Sequence, residues 1–353
     1  MRIAIDASRT TAARITGTEH YALQLIRALI RLNTRHHITL YFRDAPPADL
    51  FPASERVAYR VIPFARAWTH LRFAAALVAD RPDVTWVPAH TLPALFPGRA
   101  AVTVHDLGYR YFPNAHPPRH RLYLDWTTRY SARRAALVFA DSRATADDLA
   151  RFYGTPPGKI RVVYPGVDAP PVGDVEVVRR KYGLPERYLL FLGTLQPRKN
   201  IARLAQAYAR ANVDAALVLA GGQGWLYDPA WVAGVPNVIL PGYVDDADKG
   251  ALYAGAMALV FPSLYEGFGF PVLEAMLCGT PVVCSRTSSL PELAGDAALL
   301  VNPLDTDEIA NAMTRIIYDT ALRGDLVARG YAQAAKFTWE AAARGILAGL
   351  ESV

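Results

Sequence analysis

Short apolar runs alternate with amphipathic stretches of helical length along the whole chain, and this alternation limits the possible folds more than any other feature. In the first half the runs are "RIAID", "HITLYF", "VAYRVI", "DVTWV", "AAVTV", "ALVFA" and "IRVV", with helical patterning over 18–32, 68–80, 119–135 and 144–153. Strand and helix in alternation build parallel, doubly wound α/β sheets. The stretch "YPGVDAPPVGDVE" concentrates Pro and Gly without an apolar period and marks a linker. Beyond it the pattern restarts with "YLLFL", "AALVLA", "NVIL", "MALVF", "PVVC" and "AALLV". A chain of 353 residues exceeds one usual core, so two Rossmann-like domains in series are expected, over 1–168 and 175–336. Ligands of such sheets bind beyond the carboxyl ends of the strands, which makes a cleft between the two domains the expected site.

Composition removes several classes of function. With 52% hydrophobic and 20% charged residues the chain is ordinary for a globular protein, and it has no uncharged run long enough to span a bilayer. "MRIAIDASRT" reads as a first strand and not as a secretory leader, so a cytoplasmic location is expected. Cys278 and Cys284 sit among apolar neighbours and are expected to be free buried thiols. The net charge of +6 comes from scattered arginines with no basic block interleaved with aromatics. Nucleic acid is therefore disfavoured, leaving phosphorylated small molecules or an anionic membrane surface as partners.

The segment "SLYEGFGFPVLEAMLCGTPVVCS" places Glu266 and Glu274 on either side of a Gly-Phe-Gly-Phe-Pro loop. Pro271 is expected to open a helix that ends at Gly279, with Phe270 at the cap and Glu274 in the first turn. A cap without a side-chain acceptor leaves N–H donors suited to an anion such as phosphate. Carboxylates would repel that phosphate, so their natural partners are hydroxyls, each charge-assisted bond contributing roughly 1.5 to 3 kcal/mol. One glutamate for a ribose diol and one for a sugar, with diphosphate between, describes a nucleotide-sugar site. The competing explanation is a capping box of Ser263 with Glu266, and a Glu274 that favours the helix dipole. In "YLLFLGTLQPRKN", Arg198 and Lys199 follow a strand's carboxyl end, where two cations can neutralise a diphosphate leaving group.

Together "LGTLQPRKN", "GYVDDADKGALYAGAMALVFPSLYEGFGFPVLEAMLCGTPVV" and "AALLVNPLDTDEIANAM" resemble the retaining glycosyltransferases of family 4, which have the two-domain GT-B fold. Within that family the chain is most similar to bacterial mannosyltransferases that build O-antigen and other cell-surface polysaccharides, over essentially its whole length. The resemblance implies that Glu274 holds the ribose hydroxyls and Glu266 the transferred sugar. It implies that Gly267, Phe268, Gly269 and Phe270 line sugar and phosphate, and that Lys199 with Arg198 binds the diphosphate. Gly242, Tyr243 and Val244 would lie against the base. Many relatives carry a second phosphate-binding arginine where this chain has Thr194, which shifts weight onto Lys199. The last helix, within 337–353, would cross back to brace the first domain.

In the first domain, "IDASRTTAARITGTEH" offers Gly17 at a helix start as a donor-site candidate, while Glu19 suits the helix dipole better than a phosphate. His105 and Asp106 end the strand "AAVTV" and resemble the family's His-Asp pair near the transferred sugar; His90, after "DVTWV", is an acceptor-side candidate. The Asp-x-Asp within Asp245–Asp248 reads as a cap and acidic first turn, not a metal ligand set, and no essential metal is expected. The helix over 119–134 mixes Arg119, Arg121, Arg129, Arg133 and Arg134 with Leu122, Leu124 and Trp126. It suits either an anionic membrane or an ordinary half-buried surface.

The expectation that gathers these is a metal-independent retaining hexosyltransferase with no cofactor besides its donor. Resemblance favours GDP-mannose as that donor, with UDP- or TDP-hexoses next, and a saccharide or lipid-linked hydroxyl as the acceptor. Lys199, Arg198 and helix N-termini would stabilise the leaving group, at about 3 kcal/mol per lost donor. His105 and Glu266 would flank the reacting sugar. The alternatives are a non-catalytic nucleotide-sugar-binding protein and a GT-B-like sugar-nucleotide epimerase. A dinucleotide oxidoreductase is disfavoured by the lack of a Gly-x-Gly-x-x-Gly turn.

Overall fold

The computed structural model describes residues 1–12, 17–33, 35–115 and 117–353. Two compact units emerge, one built from Met1–Pro113, Pro117–Gly166 and Phe337–Val353, the other spanning Val167–Lys336.

The first unit holds a seven-stranded sheet of β1 (Arg2–Asp6), β2 (His37–Phe42), β3 (Val57–Val61), β4 (Val84–Val87), β5 (Arg99–Val104), β6 (Leu137–Ala140) and β7 (Ile160–Val162). The strands run parallel in the order β3-β2-β1-β4-β5-β6-β7, so the winding reverses between β1 and β4. The second unit holds β8 (Tyr188–Leu192), β9 (Ala216–Ala220), β10 (Val238–Gly242), β11 (Ala258–Phe261), β12 (Val282–Ser285) and β13 (Ala298–Val301). These form a six-stranded parallel sheet in the order β10-β9-β8-β11-β12-β13, which reverses between β8 and β11. Both units are thus doubly wound α/β, and every apolar run read from the sequence forms a strand. β4, β6, β8, β9, β11 and β12 are buried throughout, as helices on both faces of a parallel sheet require.

Helix boundaries follow local chemistry. Asp174 caps Val175–Tyr182 by accepting from the N–H groups of Glu176 and Val177, so regular structure resumes within the Pro/Gly-rich stretch. The expected helix over 68–80 opens with a π-helical turn, Thr69–Phe73, where Trp68 stacks on Phe73 at 5.0 Å. The last helix, Trp339–Glu351, belongs to the first unit. Its close approach is set by small residues: a Cβ on Gly349 would stand 2.5 Å from the Phe139 ring, and Glu351 meets His36 Nε2 at 2.8 Å.

Candidate functional site

The two strands at the winding reversal of the second sheet, β8 and β11, present the candidate residues Arg198, Lys199 and Glu266 in the loops after their carboxyl ends. Arg198 and Lys199 lie in a 3-10 turn, Pro197–Lys199, soon after β8, and the Leu264 N–H donates to the Arg198 carbonyl at 2.8 Å, tying this turn to the loop after β11. The Glu266 carboxylate bridges both cations. Its Oε1 lies 2.5 Å from Lys199 Nζ and its Oε2 2.7 Å from Arg198 Nη1, which also donates to the Tyr265 carbonyl at 2.9 Å. Glu266 and Lys199 are buried, and Lys199 Nζ also stands 4.6 Å from the centre of the Phe261 ring. Burial by itself would raise the Glu266 pKa, but Arg198 and Lys199 outweigh it and hold the carboxyl down at about 2. The loop is fixed from the other side: the Glu266 N–H donates to Ser288 Oγ at 3.0 Å, and Ser289 Oγ donates to the carbonyls of Glu266 and Phe268.

The helix after this loop differs from expectation. It runs Phe270–Leu277 with Gly269 at the cap, because Gly269 holds φ 125°, a conformation that glycine alone adopts readily, and Pro271 falls at the second helical position. A Cβ there would also stand 2.7 Å from Leu290 Cδ2. Glu274 therefore lies one turn beyond the helix start, and neither a first-turn Glu274 nor a capping box of Ser263 and Glu266 is present. Glu274 Oε2 accepts from the Tyr253 hydroxyl at 2.8 Å. Its pKa is raised, since burial exceeds the opposing pull of Lys249 and Tyr253. Phe268 and Phe270 meet edge to face at 5.0 Å around the glycine.

The remaining candidates of this unit stand on the same edge of its sheet. Gly242 ends β10 with φ 79°, Tyr243 beyond it is exposed, and Val244 is buried. Thr194, two residues after β8, is exposed and packs against Gly224, where a Cβ would lie 2.5 Å from Thr194 Cγ2. Asp245 and Asp248 are both engaged by Lys181, at 2.8 and 2.6 Å. Among the described residues no group of three or more His, Cys, Asp and Glu is arranged to hold a metal. Cys284 is buried and Cys278 partly so; burial pushes their thiols up to about 12 and 11.

In the first unit His105 and Asp106 both follow β5, and each side chain has its own partner. Asp106 Oδ1 accepts from the Gly108 N–H at 2.7 Å, and the partner of His105 is Asp141, whose Oδ2 lies 2.7 Å from His105 Nδ1. The register explains it: Val104 pairs with Ala140, so the next residue of each strand stands beside the other. The His105 backbone N–H donates to His90 Nε2 at 3.0 Å, which makes His90 a neutral brace for that backbone. Burial and the neighbouring His105 push His90 down to about 3. Gly17 is the exposed first residue of the helix Gly17–Leu32, and residues 13–16 before it lie outside the described residues. Glu19 pairs with Arg9 Nη1 at 2.9 Å, a role internal to the unit.

Sequence reasoning missed Asp141, Tyr253 and the Ser288–Ser289 support. Asp141 left a usable signal, since it follows "ALVFA" at the position where His105 follows "AAVTV". The serines and Tyr253 left none, because their partners are set by packing.

Two doubly wound parallel sheets, with cations and a carboxylate gathered at a winding reversal, define the GT-B class. The chain belongs to glycosyltransferase family 4, matching the model "Glycosyltransferase Family 4" over residues 15–169 and "Glycosyl transferases group 1" over 174–333. It is 33% identical to an O-antigen chain mannosyltransferase B of Escherichia coli, over 92% of this chain and 93% of that one. It is 27% identical to the Escherichia coli serotype-specific mannosyltransferase WbdA, over 91% of this chain and 44% of that longer protein. Among solved structures, the sucrose-phosphate synthase of Thermosynechococcus elongatus superposes with a TM-score of 0.75 at 24% identity, covering 99% of this chain and 98% of that one. Anabaena HepE in complex with UDP-glucose gives 0.74 at 19% identity over 100% of both chains.

Proposed function

We propose that this glycosyltransferase moves a hexose, mannose before others, from a nucleoside-diphosphate sugar to a saccharide or lipid-linked hydroxyl with retention of configuration and without an essential metal. The buried Glu266 bridged to Lys199 and Arg198 carries this reading. Two fixed cations suit a departing diphosphate, and a carboxylate held ionised beside them suits sugar hydroxyls. Glu274, partly buried one turn beyond the start of the following helix, takes the ribose diol. Gly267 to Phe270 line sugar and phosphate, Gly242 to Val244 face the base, and Thr194 and Gly17 flank the phosphates. His105 serves the transferred sugar, and His90 belongs to the acceptor side. In the reaction the bond from C1 to the phosphate oxygen breaks, a bond from C1 to the acceptor oxygen forms, and the acceptor proton passes to the departing diphosphate. GDP-mannose is the first donor to test because the relatives named above are mannosyltransferases; the UDP-glucose of HepE makes UDP-hexoses the second.

No helix among the described residues is long and apolar enough to cross a membrane. A peripheral contact with an anionic membrane through the helix Pro118–Arg134 is part of the proposal. Leu122, Tyr123 and Trp126 are exposed on it beside Arg119 and Arg129.

The test is acceptor-dependent release of nucleoside diphosphate from a panel of GDP-, UDP- and TDP-hexoses, with and without chelator, and the anomeric configuration of the product read by NMR. Turnover of one donor with retained configuration, unaffected by chelator, is the expected result. Product formed without acceptor would replace this reading with an epimerase.

A further inference from the structure

His105 is enclosed by acceptors. Its Nδ1 faces Asp141 Oδ2 at 2.7 Å and its Nε2 faces the Pro88 carbonyl at 3.2 Å, while its carbonyl accepts from Thr145 Oγ1 at 3.2 Å. A neutral imidazole has only one N–H, so a ring with acceptors at both nitrogens is satisfied only as the imidazolium. Asp141 needs that cation in turn. It is 4% exposed, and among the described residues its Oδ1 has no hydrogen-bond partner, so the ring is the group that balances its carboxylate there. Among the described residues the other groups facing the ring are Asp106 on the same loop, the neutral His90 after β4 and Tyr21, whose ring meets it edge-on at 4.8 Å.

We infer that Asp141 is a positioning residue that keeps His105 as a doubly donating imidazolium, so that His105 serves the transfer reaction as a fixed positive charge and not as a base. The inference rests on the proposed transferase function for its catalytic consequence alone. Burial would lower the His105 pKa, but Asp141 first, then the Pro88 carbonyl and Asp106, raise it above the ordinary value. The charge is therefore present below that raised value and is lost as pH climbs through it.

Ring nitrogen NMR on the full chain tests this, with the His105 signals assigned by their loss in His105→Gln. Both nitrogens are expected to stay protonated in the wild type at pH values above the ordinary histidine pKa of about 6.5; in Asp141→Asn the ring should lose its proton at lower pH than in the wild type, and Asp141→Glu should restore the wild-type state. Activity of Asp141→Asn should fall roughly tenfold in kcat at those pH values and recover at lower pH, with donor-induced thermal stabilisation unchanged. A neutral His105 ring in the wild type at pH 7, or an Asp141→Asn ring titrating like the wild type, would overturn the inference. Should Asp141→Asn fail to fold, the wild-type spectrum and the Asp141→Glu titration decide it alone. If the wild type turned over no nucleotide sugar, the proposed function would fall, whereas ring protonation in the resting protein would still decide the role of Asp141.

Discussion

Lys199 Nζ stands 2.5 Å from Glu266 Oε1 although the two residues are 67 positions apart, because their loops leave the neighbouring strands β8 and β11. The partner of the second glutamate is a hydroxyl, Tyr253, and its pKa moves the opposite way. The two carboxylates of one loop and helix therefore respond differently to substitution and to pH.

Glu266→Ala should remove about 3 kcal/mol of stability, since it strands Lys199 in a buried site and leaves Arg198 with one partner fewer. The folded-state pKa of about 2 lies below the ordinary 4.5, so the stabilisation is complete above 4.5 and disappears as pH falls toward 2. Urea titrations at several pH values should show a slope in that acid window for the wild type, and a flatter one for Glu266→Gln.

Glu274→Gln should stabilise the ligand-free protein while abolishing nucleotide binding. The raised pKa means that the folded state favours the protonated form. Its stabilising effect is present below the ordinary value and is lost as pH rises through the raised one, so the ionised group costs stability at neutral pH. Thermal melting with and without nucleoside diphosphates reads both effects: the wild type should gain about 2.7 kcal/mol at a hundredfold excess over Kd, and Glu274→Gln nothing.

Gly269→Ala should cost about 1 to 3 kcal/mol and lower turnover, since φ 125° strains any Cβ and the new methyl meets Leu290. Denaturant midpoints and kcat measured on the same preparations check it. Loss of stability with unchanged kcat would separate this loop from the chemistry.

Leu122→Ser with Trp126→Ser should weaken sedimentation with vesicles rich in phosphatidylglycerol without changing the melting temperature, because both side chains are exposed. Binding should also fall with added salt, as screening of the helix arginines requires. Equal binding by the doubly substituted and wild-type proteins would show that this helix does not contact the bilayer.

The order of strands and helices and the placement of Arg198, Lys199, Glu266 and His105 just past strand ends were determined by the sequence alone. Periodicity and punctuation are local properties, and a strand's carboxyl end is where a parallel sheet presents its loops. The start of the helix at Phe270 escaped because the sequence pointed to Pro271 as the opener, while the structure lets Gly269 take the cap through a positive φ. Only the tertiary structure decided which charge meets which. His105 pairs with Asp141 and not with the adjacent Asp106 because consecutive residues of an extended chain point to opposite sides, whereas residues one step past β5 and β6 stand shoulder to shoulder. Glu266 binds Lys199 and Arg198 because the winding reversal makes β8 and β11 neighbours, an adjacency set by sheet order and not by any spacing along the chain.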